Sequence, residues 1–304
     1  MQDRTNLLNR MSIDLGASFE SLEQIIRTAP LRYKVFYIPK RDGSLREVAQ
    51  PAREVKAIQR WIIHDLERLL PVHSAATAYR TGSSIKKNAM AHVESNYMLK
   101  MDLRNFFPSI LFSDVVKHLG AFAKHEYADS AINLIARACT WAPKRSPPLR
   151  LCIGAPSSPF LSNSIMFDFD NALQNQVDIE SVRYTRYADD LTLSCASPGV
   201  LEKYPSVIER ILSSLEFPRL EVNERKTVLA SRAAGRFVTG VILTPDFNLS
   251  VGRDRKRLIR SMYHKMTLGL LSQVEINKLN GLLSFVEDIE PGFLDKIRSK
   301  YNPD

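Results

Sequence analysis

The hydrophobic positions of the first ninety residues shift between helical and strand spacing. Residues 18–29 and 54–70 predict helices. The second helix has apolar side chains at helical intervals and a proline as its stop: Val55, Ile58, Ile62, Leu66 and Pro71. Between these helices, the run Tyr33 to Ile38 predicts a strand. The turn residues 40–43, with a second strand that ends at Pro51, complete a predicted hairpin.

Two β patterns in the middle of the chain end or meet at aspartates. Residues 97–102 alternate as in a strand, so the even positions, ending in Asp102, share one face. Residues 182–195 form two β-rich runs that meet at Asp189 and Asp190, which predicts a second hairpin. Helices are predicted between the two patterns, over 113–120 and 128–142.

The strand patterns fade after Pro245, and the tail is helical in its spacing. Three tail helices are predicted: one over 253–271, one opened by the capping box Ser272 to Glu275, and one begun by Pro291. A mixed α+β region followed by a helical tail indicates a domain boundary near residue 246.

Positive charge is concentrated in two blocks of the chain. The chain has 42 Lys and Arg against 33 Asp and Glu, for a net charge of +9. Residues 31–60 and 253–265 each carry a net charge of +5, so the rest is nearly neutral. The blocks are either solvated faces or two walls of a channel for a phosphate backbone. The basic balance favours nucleic acid as the partner.

Composition excludes several classes of protein. The 304 residues are 44% hydrophobic and 25% charged, which is typical of a folded chain and excludes disorder, collagen and coiled coil. Cys139, Cys152 and Cys195 are odd in number and scattered, which argues against a disulfide framework or a structural zinc site. The N-terminus carries charges where a signal peptide is apolar, and no apolar run is long enough to span a membrane. We therefore expect a cytoplasmic protein without a membrane partner.

Three aspartates are the candidate chemical groups. Asp189 and Asp190 alone carry little information, because Asp is a common turn residue. Asp102 ends a separate strand, however, so three carboxylates are available to converge. Like charges about 4 Å apart repel by about 4 kcal/mol at an effective dielectric near 20, and divalent cations relieve that repulsion. Two Mg²⁺ ions on hard oxygen ligands suit in-line phosphoryl displacement, so the sequence predicts nucleotidyl transfer.

Four ordered motifs resemble those of a reverse transcriptase. They are KMDLRNFFPSI at 100–110, GAPSSPFLSN at 154–163, YADD at 187–190 and NERKT at 223–227. The resemblance extends from about residue 30 to residue 245. It implies an α+β fold of right-hand polymerase architecture and an RNA-directed DNA polymerase that adds dNTPs with two Mg²⁺ ions.

Two further motifs resemble those that mark bacterial retron reverse transcriptases: NAMAH at 88–92 and VTG at 238–240. This resemblance implies a structured non-coding RNA as template and primer. Priming from a guanosine 2′-hydroxyl would then yield branched RNA–DNA (msDNA), in phage defence alongside an effector protein. Two alternatives stay open: a diversity-generating or intron-encoded reverse transcriptase, and a non-catalytic, maturase-like RNA-binding module.

The reverse transcriptase resemblance assigns roles around the catalytic centre. Asp102, Asp189 and Asp190 match the metal-binding aspartates, with the Leu103 carbonyl as a further ligand. Phe107 matches the aromatic gate against a 2′-hydroxyl, whereas Phe106 is better explained as a core residue. The remaining matches are Arg46 on the triphosphate, assisted by Lys40 or Arg41, and Lys226 as the proton donor to pyrophosphate.

The same resemblance assigns the nucleotide and nucleic-acid contacts. Gly154, Ala155 and Pro156 match a nucleotide-positioning segment whose small residues permit close backbone approach. Ile153 stands where many relatives have Gln, so an amide contact to the nucleotide is missing. The expected nucleic-acid contacts are Asn88, His92, Ser157, Asn163, Val238, Thr239, Gly240, Arg253, Arg255, Lys256, Arg257 and Arg260.

The resemblance also divides the chain into four regions. They are an N-terminal helical extension (1–30), fingers (31–96, with part of 121–160), palm (97–245) and a helical thumb (246–304). About 60 residues of thumb leave no room for an RNase H domain, so template removal is expected to depend on a host RNase H.

Overall fold

The computed structural model describes residues 2–40 and 43–301. Its α-helices are α1 (Gln2–Leu15), α2 (Phe19–Thr28), α3 (Arg53–Leu66), α4 (Ile85–Met90), α5 (Phe106–Ser109), α6 (Phe112–Phe122), α7 (Asp129–Cys139), α8 (Ser158–Ile165), α9 (Phe167–Asp178), α10 (Tyr204–Ser214), α11 (Arg253–Thr267), α12 (Gln273–Ile289) and α13 (Phe293–Tyr301). Its strands are β1 (Tyr33–Pro39), β2 (Leu45–Pro51), β3 (Tyr97–Asp102), β4 (Arg183–Tyr187), β5 (Asp190–Cys195), β6 (Val228–Ser231), β7 (Arg236–Val238), β8 (Val241–Leu243) and β9 (Leu249–Ser250).

The two predicted hairpins are confirmed. Strands β1 and β2 pair antiparallel from Tyr33 opposite Pro51 to Pro39 opposite Leu45. Most of this hairpin is exposed, and its base is anchored where the Ala49 N–H donates to the Ile153 carbonyl at 2.8 Å. The second hairpin, β4–β5, belongs to a four-stranded sheet of order β4-β5-β3-β6.

The four-stranded sheet separates two hydrophobic cores. The alternation in β3 explains this, because Leu99 and Met101 belong to the larger core while Met98 belongs to the smaller one. Helices from both halves of the chain fill the larger core, from Leu8 of α1 to Ile208 of α10. The sheet therefore holds β3 rigidly from both faces, with Asp102 at its end.

The smaller core joins the tail to earlier segments. Val238 and Val241 of the three-stranded sheet β7-β8-β9 pack with Ala89 and with side chains of α11, α12 and α13, such as Ile259. Strand pairing continues to Ser250, beyond the boundary expected near residue 246. The three predicted tail helices are all present, and Ser272 caps α12 with Glu275 as predicted.

Helix α1 lies within the predicted N-terminal helical extension, whereas α8, α9 and α10 are among the helices that were not predicted. Helix α10 nevertheless has apolar residues at helical spacing, at Val207, Ile208, Ile211 and Leu212. All three cysteines are free and buried. Among the described residues, no helix is both long and apolar enough to cross a membrane.

Candidate active site

The three aspartates lie at one end of the four-stranded sheet. Asp102, the last residue of β3, is paired directly with Asp190, the first residue of β5. Asp189 lies beside them in the two-residue turn between β4 and β5, where Ala188 adopts a left-handed φ of +57°. The Leu103 N–H donates to the Asp189 carbonyl at 3.0 Å, which ties the end of β3 to this turn.

Asp102 is engaged by two side chains of the NERKT segment. Its Oδ1 accepts a hydrogen bond from Asn223 Nδ2 at 3.0 Å, and its Oδ2 lies 2.9 Å from Lys226 Nζ. The Asn223 N–H also donates to the Asp102 carbonyl at 2.7 Å. Lys226 was expected beside pyrophosphate, and the structure places it on the carboxylate. Asn223 is the first residue of the NERKT motif, but the sequence did not identify it as a site residue.

The electrostatic environment of the carboxylates favours cations. Burial, followed by the negative charges of Asp190 and Asp102, raises the pKa of Asp189 to about 6. Burial also raises the pKa of Asp190, against the opposing charges of Lys100 and Lys226. The hydrogen bond to Asp102 raises the pKa of Lys226. Carboxylates held this close to one another gain from any positive charge that enters the cluster.

Oxygen ligands of this kind match the chemistry of Mg²⁺. Within residues 2–40 and 43–301, however, no group of three His, Cys, Asp or Glu side chains stands close enough to form a ready-made metal centre. Both carboxylate oxygens of Asp102 are engaged, one by Asn223 and the other by Lys226. The carboxylate oxygens suit a hard divalent cation in their chemistry, and Lys226 occupies one of them.

A cleft of about 1120 Å³ opens in front of the aspartates. Asp102 and Asp189 line this cleft, and so do Lys40 and Arg46 of the β1–β2 hairpin. Arg41 lies outside the described residues. The other lining residues include Tyr79, Leu103, Phe107, Trp141, Arg150, Cys152, Ile153, Asn223 and Lys226.

The two phenylalanines of the FFP segment have different environments. Phe106 is buried in the larger core, whereas Phe107 is half-buried, and both reach the cleft. Their rings meet edge to face, with centroids 5.3 Å apart. The buried Phe106 thus supports the ring of Phe107. This agrees with the sequence prediction, in which Phe106 is a core residue and Phe107 faces the nucleotide.

The Gly154 segment lies behind the cleft wall. Gly154 has φ +112°, and a Cβ there would lie 2.8 Å from the Ala49 carbonyl oxygen and 2.9 Å from Val48 Cγ1. The close approach that requires glycine is therefore to strand β2. Ala155 is buried, and none of Gly154, Ala155 and Pro156 lines the cleft of the described chain. Only Ala155 is buried, whereas Gly154 is exposed and Pro156 is half-buried, so the nucleotide-positioning role of this segment stays a prediction.

The NAMAH motif is internal. His92 is fully buried, and its ring nitrogens contact Ser194 Oγ at 2.7 Å and Thr185 Oγ1 at 2.8 Å. Burial lowers the pKa of His92 to about 3, so the ring is neutral. Asn88 is 1% exposed. The expected RNA contacts of Asn88 and His92 are therefore wrong, since both side chains pack behind the sheet that carries the aspartates.

The VTG motif forms a turn. Thr239 and Gly240 both have positive φ, at +47° and +82°, and join β7 to β8 as a two-residue hairpin. Val238 is fully buried in the smaller core, which corrects its expected RNA contact. Thr239 is half-buried and Gly240 is exposed, so the turn itself is accessible.

Ser157 and Asn163 are also buried. Ser157 is 0% exposed, and Asn163 is 1% exposed. Asn163 Nδ2 donates to the Ala78 carbonyl at 2.8 Å, and its Oδ1 accepts from Arg186. Both side chains are therefore structural in this state, and the predicted contact with nucleic acid is wrong for them.

The basic residues of α11 differ in what they contact. Arg253, Arg257 and Arg260 are exposed. Arg255 and Arg260 stack on Phe285 and Phe293, with guanidinium carbons 5.0 and 5.5 Å from the ring centroids, and Lys256 Nζ lies 2.5 Å from Glu290 Oε2. The exposed arginines remain candidates for nucleic-acid contact, while Arg255, Lys256 and Arg260 also bind α11 to the other tail helices.

Sequence reasoning missed three residues that line the cleft. Tyr79 has a left-handed φ of +58° and a half-exposed ring, 6.3 Å from the ring of Tyr187. Trp141 and Arg150 are paired through a β-bridge. No periodic pattern distinguishes these side chains from core or surface residues, so only the folded chain brings them together.

The architecture defines the class of protein. The telomerase of Candida albicans, solved in complex with a TWJ fragment of telomeric RNA, shares the fold with a TM-score of 0.53 at 15% identity. That match covers 92% of this chain and 58% of the telomerase chain. The telomerase of Candida tropicalis in its apo form gives a TM-score of 0.51 at 11% identity, with 91% and 60% covered. The fold is that of a right-hand polymerase, as expected.

Sequence comparisons identify the family. The model of the reverse transcriptase (RNA-dependent DNA polymerase) family matches residues 38–252. The chain is 40% identical over 302 residues to the retron Ec83 reverse transcriptase of Escherichia coli, covering 96% of this chain and 95% of that protein. It is 32% identical over 290 residues to the retron Ec73 reverse transcriptase of Escherichia coli, covering 91% and 89%. The chain belongs to the bacterial retron reverse transcriptases.

Proposed function

We propose that this retron reverse transcriptase adds dNTPs to a growing DNA strand in the cleft between the β1–β2 hairpin and the four-stranded sheet. The supporting observation is the pairing of Asp102 with Asp190 on neighbouring strands, next to Asp189, with Asp102 and Asp189 lining that cleft. Lys40 and Arg46 of the hairpin line the same cleft, as do Arg104, Arg150 and Arg225. This excess of positive side chains suits a bound triphosphate.

Asp102, Asp189, Asp190 and the main-chain carbonyl of Leu103 would hold two Mg²⁺ ions. When bound, such ions stabilise negative charge on the attacking 3′-hydroxyl and on the triphosphate. The raised pKa of Asp189 supports this assignment, since burial and neighbouring carboxylates leave the cluster short of positive charge. Lys226 neutralises the negative charge of Asp102 in the structure. We expect it to release that carboxylate when a cation binds.

The other cleft residues are assigned to the nucleotide. Arg46, assisted by Lys40 or Arg41, contacts the triphosphate. Phe107 lies beneath the sugar and crowds a 2′-hydroxyl. Lys226 is assigned to protonate departing pyrophosphate after it leaves Asp102, because a lysine carries its proton at neutral pH.

The domain assignment follows the same proposal. Residues 31–96, with part of 121–160, act as fingers, 97–245 as palm and 246–304 as thumb, after the N-terminal extension 1–30. The exposed arginines of α11 and the Thr239–Gly240 turn are the proposed contacts with the RNA and its RNA–DNA product. Charged and turn residues of this kind recognise RNA through phosphates and shape.

The biological setting is proposed from the retron relatives. The template and primer is a structured non-coding RNA, part of which is copied after priming from a guanosine 2′-hydroxyl, giving branched msDNA. The complex acts in the cytoplasm in anti-phage defence with an effector protein. Host RNase H removes copied template.

Primer extension tests the polymerase proposal. Purified protein with Mg²⁺, dNTPs and an RNA template should incorporate label, and D102N, D189N or D190N should each lower the rate at least about 100-fold. The matched control is D168N, because Asp168 is an exposed aspartate on α9 and should tolerate the change. Equal rates for D190N and the unsubstituted protein would refute the assignment.

Native complexes test the setting. Sequencing the nucleic acid that copurifies from the native host should recover one structured RNA joined to DNA through a 2′,5′ branch. Phage plating efficiency in that host should rise when D190N replaces the unsubstituted protein. Linear DNA without a branch contradicts the priming step, and unchanged plating contradicts the defence role.

A further inference from the structure

A fully buried ion pair lies directly behind the catalytic turn. The side chains of Arg186 on β4 and Asp170 on α9 are both 0% exposed. Arg186 Nε donates to Asp170 Oδ1 at 2.8 Å, and Nη2 donates to Oδ2 at 2.6 Å. The Tyr184 hydroxyl donates to Asp170 Oδ1 at 2.7 Å. Both carboxylate oxygens are thus satisfied in a rigid, bidentate arrangement.

Stability alone is a poor explanation for such a pair. Moving two charges out of water carries a desolvation cost, and apolar side chains of similar volume often stabilise a core equally well or better. The guanidinium has further donors, and these do not go to Asp170. Nη1 donates to the Ala188 carbonyl and to Asn163 Oδ1, each at 3.1 Å.

The contact with Ala188 lies in the catalytic turn, the two residues 188 and 189 between β4 and β5. Ala188 immediately precedes Asp189, and its φ of +57° is one that alanine rarely adopts. The main chain of Arg186 is fixed as well. Its N–H donates to the Ala75 carbonyl at 2.7 Å, and its carbonyl accepts from the Thr77 N–H at 2.8 Å. Side chain and main chain together hold this uncommon turn from behind.

The network continues to the wall of the cleft. Asn163 Nδ2 donates to the Ala78 carbonyl, one residue before Tyr79, which lines the cleft. Asn163 therefore connects Arg186 to helix α8 and to the 75–79 segment. Helix α8, helix α9 and the turn at Ala188 meet at one buried guanidinium, and the 75–79 segment joins through the Arg186 main chain and Asn163.

We infer that Arg186, held by Asp170, is a positioning residue that fixes the Ala188 peptide and thereby the placement of Asp189 and Asp190 relative to Asp102. This inference rests on the proposed cation-binding role of the three aspartates. Arg186 touches neither substrate nor cation, and it acts through the backbone of the turn.

The test is Mn²⁺ binding, measured by electron paramagnetic resonance on the full chain without nucleotide, together with primer extension. R186K keeps the charge beside Asp170, but a single ammonium group cannot reproduce the planar fork that reaches Asp170, Asn163 and Ala188. The Mn²⁺ dissociation constant should rise about 10- to 100-fold, as for other residues that orient metal ligands. The kcat should fall by a similar factor, while the KM for dNTP stays within about twofold.

A control variant removes a buried hydrogen bond outside this network. S164A removes the 2.6 Å contact between Ser164 Oγ of α8 and His118 Nε2 of α6. It should lower Tm while leaving the Mn²⁺ dissociation constant and kcat unchanged. R186K that loses Tm like S164A but binds Mn²⁺ as tightly as the unsubstituted protein would overturn the positioning role.

A second variant covers the case in which R186K fails to fold. R186M/D170L/Y184F replaces the network with apolar side chains of similar volume, and it should stay folded but bind Mn²⁺ weakly. D190N in the same titration separates the two proposals. If D190N loses Mn²⁺ and the Arg186 variants do not, only the positioning role fails. If D190N and the unsubstituted protein bind alike, the cation site fails, and the positioning role fails with it.

Discussion

Lys226 Nζ lies 2.9 Å from Oδ2 of Asp102, so the positive side chain of the NERKT motif is an ion-pair partner of a proposed metal ligand. Lys226 is 59% exposed, whereas Asp102 is 9% exposed. The lysine is therefore free to leave, while the carboxylate remains fixed at the end of β3. The observed ion pair neutralises the charge of Asp102.

Replacing Lys226 by methionine should increase the response of the protein to Mg²⁺. Without the ammonium group, Asp102 has lost its positive partner, so an added divalent cation relieves more repulsion than it does in the unsubstituted protein. Thermal unfolding with and without MgCl₂ should show a larger rise in Tm for K226M. K226R should restore the unsubstituted response.

R225M is the matched control for this experiment, because Arg225 is the neighbouring cation in the same cleft. It should leave the Mg²⁺ response of Tm unchanged. An identical Mg²⁺ shift in K226M and in the unsubstituted protein would mean that the observed ion pair has no influence on cation binding.

Replacing Phe107 by valine should increase the use of ribonucleotides. The half-buried ring is fixed against Phe106 and faces the cleft, so a smaller side chain opens space where a 2′-hydroxyl would lie. The ratio of kcat/KM for rNTP to that for dNTP should rise about 10- to 100-fold.

F106V serves as the control, since Phe106 is only 3% exposed and lies mainly in the core. It should lower stability by about 1–3 kcal/mol through the cavity it leaves and change sugar discrimination little. If both variants discriminate as the unsubstituted protein does, Phe107 is not the gate.

Gly154→Ala should loosen the β1–β2 hairpin. The new methyl group would meet the Ala49 carbonyl oxygen at 2.8 Å, and φ +112° is unfavourable for alanine. We expect a loss of about 2 kcal/mol or more in the free energy of unfolding, together with a higher KM for dNTP, because Arg46 moves with the hairpin. G199A is the control, since Gly199 has φ +80° but no atom within 4 Å of its Cβ position. It should cost only about 1 kcal/mol.

The positions of the aspartates could be predicted from the sequence better than the burial of other side chains. Asp102 and Asp190 were predictable because strand alternation and hairpin position are local, and both place a carboxylate at a strand end. Phe107 and Lys40 were assigned to the nucleotide from the family resemblance, and both line the cleft.

Burial was less predictable. His92, Asn163 and Val238 belong to short motifs that mark the family, and they were expected on the RNA-binding surface. The structure buries all three, because a motif records that a position is restricted without recording whether a ligand or the protein interior restricts it. The buried Arg186–Asp170 pair was not predicted either, because Asp170 comes from helix α9, which the hydrophobic pattern did not reveal.

The last prediction concerns the pH dependence of stability. His92 and His118 are buried, and burial lowers their pKa values to about 3 and about 4. In the unfolded chain both rings titrate near 6.5. As the pH falls through 6.5, the unfolded chain therefore takes up protons that the folded chain refuses, and the free energy of unfolding decreases. Above pH 6.5 both rings are neutral in either state, so this contribution is constant.

Urea denaturation at pH 7.5, 6.5, 5.5 and 5.0 checks this dependence. Each histidine should remove up to about 2 kcal/mol by pH 5, from 1.36 kcal/mol per pH unit and proton. Carboxyl groups whose pKa values are lowered, such as Glu290 at its ion pair with Lys256, titrate below this window and do not imitate the effect. Asp189, whose pKa burial raises to about 6, takes up its proton in the folded chain within this window and opposes the loss, so the histidine contribution is read from the difference between a variant and the unsubstituted protein. H118Q keeps an amide beside Ser164 but cannot titrate, so its stability should fall less steeply between pH 6.5 and 5. H125Q, at an exposed histidine, should retain the full slope. If the free energy of unfolding falls with pH equally steeply for H118Q and the unsubstituted protein, proton uptake at His118 in the unfolded chain does not cause the loss of stability between pH 6.5 and 5.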